Sequence, residues 1–114
     1  MTRARLRLNR SIPRELGAAG ARGLLLGAEH VLGISNDRVP LDEAALQRSG
    51  TATVDEADLR AAVAYDTPYA ARQHEELTWR HAPGRRAKFL ESALNDSAVE
   101  VRDVIAAELR RALR

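Results

Sequence analysis

The chain predicts an α+β domain: a small, mostly antiparallel sheet packed with an N-terminal helix and a C-terminal helix. Three observations carry this expectation. Residues 3–8 alternate arginine with Ala or Leu, and residues 51–65 hold two further alternating runs divided by an acidic turn. On either side, residues 11–32 and 97–114 space their apolar side chains at helical intervals.

At 114 residues the sequence is expected to be one domain, 1–114, with room for a single modest core. Aromatic residues make up only 4%, so that core is built mainly from Leu, Val, Ile and Ala. A core this thin is commonly supplemented by association with neighbours. The absence of cysteine excludes disulfides and thiolate metal sites. The most apolar run, Gly23 to Ile34, is interrupted by Glu29 and His30, so no membrane span is expected. The N-terminal arginines lead into no apolar core of a signal peptide. All but one of the 18 basic residues are Arg, with Lys88 the exception. Arg favours bidentate carboxylate and phosphate contacts, but a GC-rich genome enriches it as well. A net charge of +2 is too weak by itself to indicate nucleic-acid binding.

Ala4, Leu6 and Leu8 face one way and Arg3, Arg5 and Arg7 the other, as in a strand with one buried and one charged face. The competing reading of this segment is a disordered basic tail, because termini fray. Ser11 before Ile12-Pro13 supplies a capping hydroxyl and an early proline, so a helix is expected from there to about Leu32. Gly17, Gly20, Gly23 and Gly27 fall within it, each costing roughly 1 kcal/mol against Ala. Gly20, Gly23 and Gly27 share a face open to close backbone approach, by an element of the same subunit or of a neighbour. Gly33 is the expected C-cap and Ser35-Asn36-Asp37 the following turn. After Val39-Pro40, residues 42–48 fit either one helical turn or an extended link.

Gly50 opens the first β run, in which Thr51 and Thr53 alternate with Ala52 and Val54. A turn at Asp55-Glu56-Ala57-Asp58 leads to the second, with Leu59, Ala61, Val63 and Tyr65 on one face. Three strands of this size need a helix against one face. Asp66-Thr67-Pro68 ends the run, Tyr69 to Leu77 reads as a short helix, and Thr78 to Gly84 as a loop holding Trp79. Phe89, Leu90, Ala93 and Leu94 form an amphipathic segment that breaks near Asn95-Asp96. Ser97 and Glu100 then match a capping box for the last helix. Its Val101, Val104, Ile105, Leu109 and Leu113 recur at helical spacing. Arg110, Arg111 and Arg114 complement its dipole. Tyr65, Phe89 and Leu90 are the expected core anchors.

Residue types used in catalysis are present without the spacing that catalysis needs. His30, His74 and His81 lie far apart, and His74-Glu75-Glu76 lacks a second histidine four residues on. Glu75 and Glu76 are adjacent in a helical stretch and point in different directions. The glycines match no phosphate loop, and Ser11, Ser35, Ser49, Ser92 and Ser97 suit caps or turns. An enzyme is therefore not expected, nor a metal or cofactor. One Trp, two Tyr and one Phe give no stacking platform for single-stranded nucleic acid. The electrostatic features are Arg3, Arg5 and Arg7, and Arg85, Arg86 and Lys88. These are solvated faces, or they meet phosphate or an acidic partner.

Three segments together resemble the minor-capsid and tail-completion (head–tail connector) proteins of long-tailed bacteriophages. Val39-Pro40-Leu41-Asp42, with Leu46 and Ser49, is similar to the VPxDTGxLxxS-like segment that follows the first helix in that family. Glu43-Ala44 stand here where the family often has Thr-Gly. Tyr65-Asp66-Thr67-Pro68-Tyr69-Ala70-Ala71, with Glu75, is similar to its PYAxxxE-like helix start. Lys88-Phe89-Leu90-Glu91-Ser92-Ala93-Leu94 is similar to its PFLxPAL-like segment. The similarity covers roughly residues 10–114. It implies a structural virion protein that forms a ring at the head–tail junction, a homo-hexamer or a dodecamer, assembled in the host cytoplasm. Such a ring joins a connector above to a tail terminator below, around a channel that DNA crosses without sequence-specific binding. Arg3, Arg5, Arg7, Trp79, Arg85 and Arg86 are then the candidate contacts to partners or to the DNA channel. The alternative is a small basic module that binds nucleic acid non-specifically.

Overall fold

The computed structural model describes residues 2–8, 16–39, 44–65 and 89–113. The expected helix start at Ser11, the Asp66-Thr67-Pro68 turn, the Tyr69–Leu77 helix and the Thr78–Gly84 loop lie outside these residues, as does Arg114. The element order is β1 (Thr2–Arg7), α1 (Gly17–Arg38), α2 (Ala44–Arg48), β2 (Thr51–Asp55), β3 (Arg60–Tyr65), α3 (Phe89–Asp96) and α4 (Ala98–Ala112). The chain is thus α+β, with the three strands in the order β1-β3-β2 and both pairings antiparallel.

Strand alternation sets which face of the sheet is covered. Ala61, Val63 and Tyr65 of β3 are buried, and Ala4 and Leu6 of β1 stand opposite Val63 and Ala61 in register. With Leu24, Ala28 and Val31 of α1 and Phe89, Leu90 and Ala93 of α3, these residues form one core. The Tyr65 and Phe89 rings meet edge to face at a centroid distance of 5.0 Å. Helix α1 is the spine: it packs on β2 and β3, on α3 and on α4. The N-terminal segment is a full partner in the sheet, paired with β3 along its whole length. It therefore contributes to the monomer, against the alternative of a disordered tail.

Helix α1 runs further than its sequence suggests. Gly33 is not its C-cap, and Ser35-Asn36-Asp37 are helical rather than a turn. The buried face continues through Val31, Ser35 and Val39, so packing outweighs the turn preference of the polar residues. The helix stops at Val39, whose backbone is extended at φ −64° and ψ 139°. Pro40 explains the stop, because a following proline disfavours the helical region. Arg38 then fastens this end, donating to Ser92 Oγ at 2.9 Å and pairing with Asp96 at 2.9 Å. Residues 44–48 resolve into a helical turn that buries Leu46.

Two further expectations are corrected. Ser97 does not form a capping box with Glu100. It is fully buried, and its hydroxyl donates backwards to the Ala93 carbonyl at 2.6 Å. A buried hydroxyl needs a partner, and the Ala93 carbonyl one turn back supplies it. Leu59 belongs to the hairpin turn rather than the strand, and its φ of 51° is unusual for a bulky residue. Asp55 Oδ1 accepts the Asp58 N–H at 3.2 Å, and the Leu59 carbonyl accepts the Leu8 N–H at 3.1 Å. These bonds, with the packing of Leu59 against the core, offset the strained backbone. On α4, Val101 and Ile105 are buried as expected, whereas Leu113 is 70% exposed.

The glycine face of α1 packs within the subunit. A methyl group on Gly23 would lie 2.9 Å from the Ile105 Cα, and one on Gly27 would lie 3.0 Å from Val101 Cγ1. Gly33 has nothing within 4 Å of that position. Gly23→Ala is therefore expected to destabilise, because overpacking against backbone costs about 1–3 kcal/mol and outweighs the gain of roughly 1 kcal/mol in helix propensity. Gly33→Ala keeps that gain alone and is expected to raise the melting temperature by about 4–8 °C per kcal/mol. Thermal unfolding of the two variants should move in opposite directions. A stabilised Gly23→Ala would show that α1 and α4 separate in solution.

Candidate interaction surface

The strand phase that buries Ala61, Val63 and Tyr65 turns the intervening residues outward. Register then places them in three rows across the sheet: Arg3–Ala64–Thr51, Arg5–Ala62–Thr53 and Arg7–Arg60–Asp55. Arg3, Arg5, Arg7 and Arg60 are exposed, as are Thr51, Thr53 and Asp55. Alanines on the central strand keep the floor low between the arginine stems and the threonines. The result is an open cleft of about 310 Å³ bordered by Arg3, Arg5, Thr53, Asp55, Arg60 and Ala62.

Four guanidinium groups and one carboxylate therefore share this face. Guanidinium forks bind carboxylate or phosphate oxygens two at a time, and Thr53 adds a hydroxyl beside them. The arginines on β1 also guard a sheet edge, since charged edge residues discourage indiscriminate strand pairing. Arg5, Arg7 and Arg60 make no ion pair among the described residues.

The structure thus brings Arg3, Arg5 and Arg7 together and adds Arg60, which is not among the contacts expected from the sequence. The signal was available: Arg60 is out of phase with Ala61, Val63 and Tyr65. Trp79, Arg85 and Arg86 lie outside the described residues, together with His74 and His81. His30 is exposed on α1. Among the described residues, no group of three metal-binding side chains stands close together. No described helix is long and apolar enough to cross a membrane.

The anchors behind the face are buried as expected, with Tyr65, Phe89 and Leu90 at most 1% exposed. The Tyr65 hydroxyl is hydrogen-bonded to Ser35 Oγ at 2.8 Å and to Asn36 Oδ1 at 2.6 Å. The carboxamide oxygen only accepts, so the phenol donates to it. Burial pushes the Tyr65 hydroxyl up to about 12, against a smaller opposing effect of the Ser35 bond. Comparison with models of protein families, with curated proteins and with solved structures finds no match.

Tyr65→Phe is expected to cost about 1–3 kcal/mol, because it takes a hydrogen-bond partner from the buried Ser35 hydroxyl. Native Tyr65 holds its proton more tightly than the unfolded chain does. Its contribution is therefore complete below pH 10 and is lost as pH rises from 10 to about 12. Urea unfolding of both forms across that window should show their difference shrinking. A difference that grows with pH would contradict the burial of this hydroxyl.

Proposed function

We propose that this chain is a structural virion subunit of the phage head–tail junction, a connector or tail-completion protein. Copies of it form a ring that joins neck to tail around the DNA channel. The observation that carries this reading is the open, arginine-lined sheet face on a domain whose other sheet face is filled by its own core. Such a face is built for contact with a larger anionic surface rather than for enclosing a substrate. The resemblance of residues 39–49, 65–75 and 88–94 to tail-completion proteins supplies the setting. In that setting Arg3, Arg5 and Arg7 dock against an acidic surface of a neighbouring neck protein. DNA sliding through the ring is met loosely, because tight phosphate contacts would oppose its passage.

The same four arginines favour one second reading, a basic module that holds nucleic acid directly. The two differ in strength and in salt dependence, since each neutralised phosphate steepens the loss of affinity with salt. Duplex DNA is expected to bind the isolated protein at ~10⁻⁴–10⁻⁶ M or more weakly at physiological salt. An Arg3/Arg5/Arg7→Ala variant should keep its circular dichroism, because exposed substitutions typically change stability by only about 0.5 kcal/mol. It should nevertheless yield heads and tails that do not join. Nanomolar, sequence-selective DNA binding with normal joining in the variant would overturn the proposal and favour the nucleic-acid module.

A further inference from the structure

We infer that copies of this chain associate head to tail through opposite edges of the sheet, β2 of one copy pairing with β1 of the next. The inference rests on the ring proposed above for its setting, while the contact itself is a property of the isolated chain. It starts from strand direction. Both β1 and β2 are antiparallel to β3, so they run parallel to each other. Among the described residues no further strand lies along either outer edge. A copy displaced sideways by the width of the sheet therefore presents its β1 to the first copy's β2 as a parallel partner.

Register makes the match specific. Thr51 and Arg3 both stand opposite Ala64, Thr53 and Arg5 opposite Ala62, and Asp55 and Arg7 opposite Arg60. Sideways displacement keeps these levels, so Thr51, Thr53 and Asp55 of one copy meet Arg3, Arg5 and Arg7 of the next. Arginine stems then lie against threonines, and Arg7 against a carboxylate with Glu56 following it. The other pairings are poorer. Two β1 edges would set three arginines against three arginines, and like charges opposite one another destabilise a sheet. Two β2 edges would gain no charge attraction, since residues 51–58 hold Asp55, Glu56 and Asp58 and no basic residue. Only the unlike edges attract, and a contact between unlike edges repeats from copy to copy.

The chain contains no cysteine, so introduced thiols report cleanly. Arg5 and Thr53 are two strand spacings apart within one subunit, about 9–10 Å. That exceeds the Cα separation of roughly 7 Å that a disulfide can bridge. Arg5→Cys and Thr53→Cys single variants, one carrying an affinity tag, are mixed in equal amounts and oxidised mildly. The disulfide-linked heterodimer is expected to exceed either homodimer about tenfold, the ratio that ~1.4 kcal/mol of preference gives. Adding Arg7→Glu to the Arg5→Cys variant should remove that preference. The double variant Arg5→Cys/Thr53→Cys should give a ladder beyond the dimer. Random pairing, no cross-link, or a double variant that stops at the dimer would overturn the inference. A ring found in assembled particles without this cross-link would leave the proposed function standing and remove only this contact. A strong heterodimer from the cysteine variants, with an unsubstituted protein that takes no part in joining heads to tails, would do the reverse.

Discussion

The spacing of α1 and α4 is fixed at Gly23, where there is no room for a methyl group beside the Ile105 backbone. Much else in the domain depends on that proximity. A core poor in aromatics has little volume with which to hold elements together, so the helices must come close enough for small residues to pack. Gly23 and Gly27 admit α4 directly onto α1, with Ile105 and Val101 filling the space their side chains leave. The same helix carries Leu24, Ala28 and Val31 into the core shared with the sheet and α3. Glu108, mostly buried near the end of α4, is held by Arg22 at 3.5 Å and by Arg111. A carboxylate at that depth needs such partners. The glycines weaken α1 as an isolated helix, and tertiary packing supplies what propensity does not.

Tyr65 is the second fixed point. Its ring meets Phe89 on one side, and a methyl group on Gly50 would lie 2.8 Å from its Cε1. Its hydroxyl reaches Ser35 and Asn36 at the far end of α1. One side chain thus relates the end of β3, the entry to β2, the last turns of α1 and the start of α3. Phenol suits this place because its ring is apolar and its tip polar, so it closes the core while bonding the buried Ser35 hydroxyl and the half-buried Asn36 carboxamide.

The sheet was legible in the sequence because strand alternation is strict and its polar phase is arginine. Residues 3–8 could hardly bury Ala4 without exposing Arg3, Arg5 and Arg7, and the same phase reading extends to Arg60. The break between α3 and α4 was legible at Asn95-Asp96 for a comparable reason, although Ser97 uses its hydroxyl differently from the motif. The C-terminus of α1 was not legible. Gly33 and Ser35-Asn36-Asp37 carry every local sign of a helix end, and what overrides them is Tyr65, thirty residues away in sequence. The turn at Leu59 was misplaced because no local rule selects leucine for a left-handed backbone. Its tolerance there comes from the core and from the Leu8 amide. Of the candidate interaction surface, the arginine row was foreseen. The cleft was not, since it depends on which alanines the register sets between the arginines and the threonines.

The strand order β1-β3-β2 also has a consequence in time. β2 and β3 are joined by a four-residue turn and close on each other locally, whereas among the described strands β1 pairs with β3. Once made, β1 has no partner in this sheet until Tyr65 has followed it out of the ribosome. At about 5–20 residues per second that delay is roughly 3–12 s. Throughout it, an unpaired strand with Ala and Leu on one side is open to wrong partners. Three arginines in alternation are what such a strand needs while it waits, because they keep it solvated and repel its copies on neighbouring chains. The charge that faces outward in the finished sheet thus also protects the unfinished one.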